Sequence, residues 1–430
     1  MLSRHLFLLI VAIMTVNTFA QTAPPIEAGV SQTLAKWRAA NYSDVRYKLN
    51  ITLEKGASLM KGDIEIRVTL TETGAKNDLI LDWRTTQFAN DKDKPFANVV
   101  AINDAIDVIS SIVNEHLIVP KGALKTGENV IKIQFASPIK TSGAAITRYV
   151  DKEDGAEYVY SLFGPSDAST AFPVFDQPDL KARFSLSIKA PEEWKLVSNT
   201  APSEIKDLPL THSEDYKKNL FITHFAETKP ISTYVFAFAA GEFEEFYEKR
   251  ETEAIGEIAR EKQLKGEVND KGSTPVSLRE IRSKNSKIYV RKSQAAKLGN
   301  VSCRTLGGSY CSNTGVSASD PVDEVFRLNR EAIKYLENYF DYKFPFPKYD
   351  LVLIPEFPFG GMEHAGCTFL REDRIIFPTE PTKNDYITRA NVIFHEAAHQ
   401  WFGDTVTMRW FDDLWLKEGF AEFMAYKTLE

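Results

Sequence analysis

The segment His395-Glu396-Ala397-Ala398-His399 constrains the fold of this chain more than any other. Two histidines four residues apart lie on one face of an α-helix, one turn from each other, so both rings can reach the same ion. The ten residues before His395 contain no Gly or Pro, which favours a helix that we expect to end at Gly403. This segment therefore predicts a helix that carries two candidate metal ligands.

A third ligand has to come from a separate element. Glu418 follows His399 by nineteen residues and belongs to a segment, starting at Trp415, that favours a second helix packed on the first. Catalytic zinc sites take three protein ligands and lower the pKa of a bound water to about 7, and Glu396 is placed to accept that proton. The alternative is an ordinary amphipathic helix with solvated His and Glu, and chance produces such a pattern in roughly 1% of chains like this one.

Residues 355–366, which read Pro-Glu-Phe-Pro-Phe-Gly-Gly-Met-Glu-His-Ala-Gly, form a second candidate functional segment. Paired glycines allow a backbone to approach a ligand closely. Residues 349–354 favour a strand, so Glu363 would lie at a sheet edge beside a cleft and could hold a substrate ammonium group. Such a charged hydrogen bond is worth about 1.5–3 kcal/mol, enough to favour free N-termini. The alternative is a Gly-rich turn with a solvated Glu363.

The motifs G-G-M-E at 360–363, H-E-x-x-H at 395–399, W-F-G-D at 401–404 and W-L-K-E-G-F-A at 415–421 together resemble the M1 family of zinc aminopeptidases. The resemblance extends to F-P-V-F-D-Q-P-D at 172–179 with Lys181-Ala182, and to residues 340–349. It implies an N-terminal β domain followed by a gluzincin catalytic domain like that of thermolysin.

Carried over by motif, the resemblance implies the removal of N-terminal residues from peptides with free N-termini, with one zinc ion as cofactor. It implies the following roles: His395, His399 and Glu418 as zinc ligands, Glu396 as general base, Glu363 as the group that binds the substrate α-amine, and Gly360, Gly361, Met362 and His364 as the lining of the substrate cleft. A thermolysin-like endopeptidase, which would not need Glu363, and a non-catalytic peptide- or zinc-binding protein are the alternatives. The presence of Glu396 argues against the second alternative.

The chain departs from the family pattern in four ways, three of them at positions in the sequence. His364 stands where the family usually has Asn, and a histidine titrates near neutral pH. Lys417 stands beside the third ligand where Asn is common, and its side chain would be free to face away from the metal. The position of a second amine-binding residue falls at Gly164, which has no side chain for that purpose. The family's transition-state tyrosine would lie beyond Glu430, so we expect a catalytic domain that is incomplete at its C-terminus.

Alternating apolar and polar residues at 63–70, 129–135 and 182–188 predict half-buried strands, and 232–239 is expected to form the last strand of the first domain. The predicted fold class is β plus α/β. Its expected parts are a β-sheet or sandwich domain over 21–245, a charged insertion or linker over 246–286, and a thermolysin-like domain over 287–430 that opens with a strand at 287–291.

Two further segments carry local predictions. Asp320-Pro321 is a strong helix start, and the following helix is expected to bury one apolar face formed by Val325, Leu328, Ala332, Leu336 and Tyr339. Cys303 and Cys311 flank a short turn-rich loop and could form a disulfide in an oxidising compartment, with two free thiols as the alternative. Cys367 is expected to be a small buried residue.

The net charge and the N-terminal segment indicate which partners and which cellular location to expect for the chain. The net charge of −7 in 430 residues, with Lys and Arg scattered among acids, argues against a nucleic-acid partner. Residues 1–20 predict a signal peptide: Arg4 and His5 precede a short apolar stretch, and Thr18-Phe19-Ala20 is a candidate cleavage site before Gln21. We expect export to the periplasm or outside, with no transmembrane segment in the mature chain. A retained N-terminal anchor is the alternative.

Overall fold

The computed structural model describes residues 22–206 (except 104, 107 and 108), 220–248, 286–298 and 321–430. The predicted signal peptide, Cys303, Cys311, Asp320 and most of the charged segment 246–286 lie outside the described residues. Cys367 is buried and free, as expected.

The N-terminal part of the chain is built mainly from strands. Its described helices and strands are α1 (Gln32–Asn41), β1 (Tyr42–Thr52), β2 (Leu59–Leu70), α2 (Glu72–Ala75), β3 (Leu79–Asp82), β4 (Phe96–Ile102), β5 (Ala105–Ile106), β6 (Ser111–Val113), β7 (His116–Val119), β8 (Gly127–Pro138), β9 (Ile146–Val150), β10 (Glu157–Ser161), β11 (Ala182–Pro191), β12 (Lys195–Ser198), β13 (Pro202–Lys206), β14 (Leu220–Phe225) and β15 (Phe238–Gly241).

These strands form a large sheet and two smaller ones. The large sheet has the order β13-β14-β11-β1-β2-β8-β4-β5, with β1 and β11 parallel and the other neighbours antiparallel. The smaller sheets have the orders β12-β15-β10-β9 and β3-β7-β6. The three predicted half-buried strands are confirmed as parts of β2, β8 and β11, whose apolar positions alternate with more exposed ones. The core combines aliphatic and aromatic side chains, and the ring centroids of Phe184 and Phe236 lie 4.3 Å apart in a stacked arrangement.

The expected strand at 232–239 is only partly correct. Residues Thr233–Val235 form a 3₁₀ helix, and the strand starts at Phe238. The reason is a pair of hydroxyl groups that bond to another loop. Ser232 Oγ donates to the carbonyl of Pro178, and Thr233 Oγ1 donates to Asp176 Oδ1 at 2.8 Å.

The second part of the chain is a mixed sheet covered by helices, so the predicted class of a β domain followed by an α/β part is confirmed. Its elements are β16 (Phe243–Tyr247), β17 (Lys287–Arg291), α3 (Ala295–Leu298), α4 (Pro321–Phe340), β18 (Asp350–Ile354), β19 (Gly361–Met362), β20 (Cys367–Arg371), α5 (Glu372–Ile375), α6 (Lys383–His399) and α7 (Trp415–Leu429). The sheet order is β16-β17-β18-β20-β19. Because β16 belongs to this sheet, a boundary after residue 245 falls inside a strand.

The helices differ from the predictions in two details. The predicted face of α4 is buried, but Tyr339 at its end is 49% exposed. Helix α6 ends at His399 and not at Gly403, because the backbone N–H groups of Gln400 and Trp401 donate to the carbonyls three residues earlier, which forms a tighter turn in place of the α-helix. Of the helices among the described residues, none is both long and apolar enough to span a membrane.

The N-terminal part contacts the turn that follows α6. Lys181 Nζ donates to the carbonyls of Asp404 and Thr405 at 2.8 and 2.9 Å. The hydroxyl of Tyr234 donates to the carbonyl of Gly403 at 3.0 Å. These bonds link the N-terminal part of the chain to the W-F-G-D motif at 401–404 and fix the turn beside the candidate site.

Candidate metal centre and active site

Helix α6 carries both histidines on one face. Its first turn is closed by reciprocal bonds, in which Asp385 N donates to Thr382 Oγ1 and Thr382 N donates to Asp385 Oδ2. One helical turn separates His395 from His399 at the other end, so their ring centroids lie 4.6 Å apart. Their Nε2 atoms face each other at 3.0 Å.

Helix α7 brings the third candidate ligand to the same place. It packs on α6 through small residues, and Ala397, Ala398, Ala421 and Ala425 are all buried at this contact. The close approach places Glu418 Oε2 at 3.4 Å from each of the two Nε2 atoms. Ligand atoms of His395, His399 and Glu418 therefore lie within 4.8 Å of one another.

The remaining ring nitrogens are already bonded. His395 Nδ1 lies 3.0 Å from Glu422 Oε2, and His399 Nδ1 lies 2.9 Å from the carbonyl of Phe402. Because both partners are acceptors, each Nδ1 carries a hydrogen when the ring is neutral and each Nε2 presents a lone pair. Two imidazoles and one carboxylate arranged in this way fit a divalent metal such as Zn²⁺.

Protons compete with a metal for this cluster. Burial opposes protonation of His395, but Glu418, Glu396 and Glu422 outweigh it and raise the pKa of His395 to about 9 in the metal-free protein. A metal that binds at Nε2 has to displace that proton, so the affinity for metal falls as the pH is lowered.

Glu396 points into a space that only glycine leaves free. A Cβ atom on Gly361 would lie 2.6 Å from Cδ of Glu396, whereas a Cβ on Gly360 would meet only a methyl of Val392 at 3.4 Å. Within the described residues, Glu396 Oε2 has no hydrogen-bond partner. Burial raises the pKa of Glu396 to about 7, a value suited to proton transfer near neutral pH.

Glu363 follows the edge strand β19, as the sequence predicted. Gln400 fixes the loop after it, because Gly366 N donates to Gln400 Oε1 at 2.9 Å and Gln400 Nε2 donates to the carbonyl of Glu363 at 3.4 Å. The neighbouring Met362 is buried, and a Cβ on Gly164 would lie 3.2 Å from its terminal methyl. Position 164 therefore lies beside the G-G-M-E segment without supplying a polar group.

Lys417 faces the site, so the expectation that it is free to face away is wrong. Its Nζ lies 2.5 Å from Glu363 Oε1 and 2.5 Å from Glu418 Oε1. The buried carboxylate of Glu363 requires a counter-charge, and Lys417 provides it while also contacting the half-exposed Glu418, which explains this orientation. Burial of Glu363 opposes its ionisation, but Lys417 outweighs that effect and lowers the pKa of Glu363 to about 2.

His364 is a buried neutral residue. Its ring packs edge-on against Phe369 at 4.4 Å, and neither ring nitrogen has a hydrogen-bond partner in the described part of the chain. Burial lowers the pKa of His364 to about 3. The expectation that it titrates near neutral pH is therefore wrong.

Sequence reasoning missed three residues that shape the site: Gln400, Asp404 and Glu422. Glu422 had a usable signal, because it lies one helical turn after Glu418. Asp404 belongs to the W-F-G-D motif, but no local pattern predicted its burial, which arises from packing between distant segments. Neither of its carboxylate oxygens finds a hydrogen-bond partner among the described residues, and burial raises its pKa well above the usual range.

Comparison with known proteins agrees with this geometry. The sequence model of the peptidase M1 N-terminal domain matches residues 43–235, and that of the peptidase family M1 domain matches residues 325–430. Aminopeptidase N of Streptomyces lividans is 31% identical over 76% of this chain and 31% of its own length. A probable aminopeptidase of Sulfurisphaera tokodaii is 31% identical over 70% of this chain and 30% of its own length. Glutamyl aminopeptidase of Bos taurus is 31% identical over 68% of this chain and 25% of its own length.

The chain spans about a third of the length of the curated relatives it matches. The two matching domain models belong to one family and together cover more than half of the chain. M1 peptidases are in general zinc enzymes, which agrees with the cluster of two histidines and a glutamate. The resemblance predicted from the motifs is thus confirmed, and the chain belongs to the peptidase M1 family.

Proposed function

We propose that the protein is a zinc aminopeptidase that removes N-terminal residues from peptides. One observation carries this proposal. Ligand atoms of Glu363, Glu396 and His399 lie within 4.8 Å of one another. A substrate ammonium bound near Glu363 would therefore have its first peptide bond beside Glu396, which limits cleavage to the N-terminal residue.

In this proposal His395, His399 and Glu418 hold one zinc ion. When bound, zinc polarises a carbonyl and lowers the pKa of water to about 7. Glu396 takes the proton of the attacking water and later gives it to the leaving amine. Its high pKa in the metal-free protein and its unpartnered oxygen support this role.

The substrate would lie along β19. This strand is at the edge of its sheet, with β20 as its one strand partner among the described residues. An extended peptide can add to such an edge by backbone hydrogen bonds. Gly360, Gly361 and Met362 would line the substrate cleft, with Glu363 at its end, whereas His364 is fully buried and would not line it.

The relatives support an exopeptidase over an endopeptidase, because those named above are called aminopeptidases. The sequence of residues 1–20 supports export of the mature chain, which N-terminal sequencing of the secreted protein would test. We also infer a catalytic domain that begins at β16 and follows the N-terminal β domain, because β16 and β17 pair in its sheet.

The test compares a free-amine peptide with its N-acetylated twin, in zinc-loaded wild type and in Glu396→Gln. We expect the wild type to cleave the free peptide about tenfold or more faster, and Glu396→Gln to keep zinc but lose about 10²–10⁴-fold in rate. Chelation should abolish cleavage and added zinc should restore it. Equal cleavage of the two peptides would favour an endopeptidase, and zinc binding without any hydrolysis would favour a binding protein.

A further inference from the structure

We propose that Lys417 determines how strongly this site selects free N-termini, because its ammonium already occupies the carboxylate that would bind the substrate amine. This inference rests on the proposed aminopeptidase function and names a specificity-determining residue for it. Lys417 reduces the advantage of an ammonium over an uncharged N-terminus.

The contacts of Lys417 leave it little freedom. The residue is 6% exposed and Glu363 is 3% exposed, so the ion pair between them is enclosed by protein. Nζ is held between Glu363 Oε1 and Glu418 Oε1, each at 2.5 Å. The ring of Tyr234 lies 5.3 Å from the same nitrogen and adds a cation–π contact. The ammonium of Lys417 is thus a built-in occupant of the Glu363 carboxylate.

The charge of the pair has a direct consequence for substrate binding. An unpaired Glu363 carboxylate in a buried space would gain strongly from an incoming ammonium. A carboxylate that is paired with Lys417 presents a nearly neutral group, and a second ammonium nearby is repelled by the first. A substrate amine therefore has to share Glu363 with Lys417, which lowers the selectivity for charged N-termini.

Lys181 offers a matched control. It is also a partly buried lysine, but it contacts the W-F-G-D turn beside the site. Its Nζ donates to the backbone carbonyls of Asp404 and Thr405 at 2.8 and 2.9 Å. Replacing Lys181 removes the same charge without freeing the carboxylate of Glu363.

The experiment measures binding rather than turnover. Leucine amide, which carries a primary ammonium, and N-acetyl-leucine amide are titrated calorimetrically into the metal-free chain and into zinc-loaded chain that also carries Glu396→Gln, so that leucine amide is not hydrolysed during the titration. We expect Lys417→Met to tighten leucine amide binding about tenfold or more relative to the acetylated probe. Lys181→Met should leave the ratio of the two dissociation constants unchanged. If the preference of Lys417→Met for leucine amide over the acetylated probe is no greater than that of the wild type, the proposal is overturned.

A double variant separates the role of Glu363 from that of Glu418. In Glu363→Gln/Lys417→Met the gain should vanish, and a gain that persists there would overturn the proposal because it would arise through Glu418. Lys417→Gln, which keeps a hydrogen-bond donor, replaces Lys417→Met if the latter does not fold, with the same expected direction. Failure of the proposed aminopeptidase function would be seen in a different measurement. The wild type would then not cleave peptides, whatever the relative affinities for the two probes.

Discussion

Glu422 Oε2 lies 3.0 Å from Nδ1 of His395, while the Nε2 atom of the same ring faces His399 and Glu418. Glu422 is one turn beyond Glu418 on α7, so a single helix supplies a candidate ligand and the carboxylate that orients another ligand. Carboxylates in this position fix the histidine ring and increase its basicity toward a metal.

The first prediction follows from this contact. Glu422→Ala should weaken zinc binding about 10- to 100-fold because His395 loses its orienting partner. Competition with a chromophoric chelator measures the affinity. Asp412→Ala, which removes an exposed carboxylate just before α7, is the control and should bind zinc like the wild type. Equal affinity of Glu422→Ala and wild type would show that the contact does not support the metal site.

A second prediction concerns Gly361, which lies against Glu396, and its neighbour Gly360, which does not. In Gly361→Ala the new methyl would lie 2.6 Å from Cδ of Glu396 and has to displace that carboxylate. We expect kcat to fall about 10²-fold, with zinc affinity unchanged. Gly360→Ala, whose methyl meets only Val392 at 3.4 Å, should stay within a few-fold of the wild type. Similar kinetics for both variants would contradict a positional role for Gly361.

The third prediction concerns the ion pairs of Arg291, of which the pair with Asp151 joins the two parts of the chain. Arg291 of β17 donates to Asp151 at 2.5 Å and to Glu372 at 2.6 and 2.8 Å, and all three side chains are largely buried. Arg291→Met leaves two carboxylates without a counter-charge, so the free energy of unfolding in urea should fall by about 3–5 kcal/mol. Arg327→Met, which breaks an exposed pair with Glu324, should cost less than about 1 kcal/mol. If Arg291→Met and Arg327→Met lose similar amounts of unfolding free energy, the buried ion pairs do not stabilise the fold more than the exposed one.

The fourth prediction is a pH dependence of stability. Burial raises the pKa of Asp176 from 3.8 to about 6, and the carboxylate of Asp82 adds to this effect. Because the folded protein then holds a proton that the unfolded chain releases, this residue makes stability fall as the pH rises from about 4 to about 7, by about 3 kcal/mol.

Asp176→Asn cannot lose that proton. The stability of the wild type relative to Asp176→Asn should therefore decrease across the same pH range, as measured by urea unfolding at each pH. Asp179→Asn changes an exposed aspartate three residues away and serves as the control. A difference between wild type and Asp176→Asn that does not vary with pH would be the contrary result.

The accuracy of the sequence predictions depended on how local the interactions were. The alternation of β2, β8 and β11, the start of α7 and the convergence of the two histidines follow from backbone periods of two and 3.6 residues, which are properties of short segments. The errors arose where a distant segment intervened. Residues 233–235 form a 3₁₀ helix because Thr233 bonds to Asp176, fifty-seven residues away. Tyr339 is exposed although the pattern of α4 placed it on the buried face.

The sequence by itself determined which residues could bind a metal and which glutamate could act as a base, because their spacing on a helix is local information. Only the tertiary structure decided what surrounds them. Lys417 meets Glu363 across fifty-four residues of sequence, and the burial of His364 removes its ability to titrate near neutral pH. Such contacts depend on how helices and sheet edges pack, and burial then sets the charge of each group because low polarity disfavours unpaired ions.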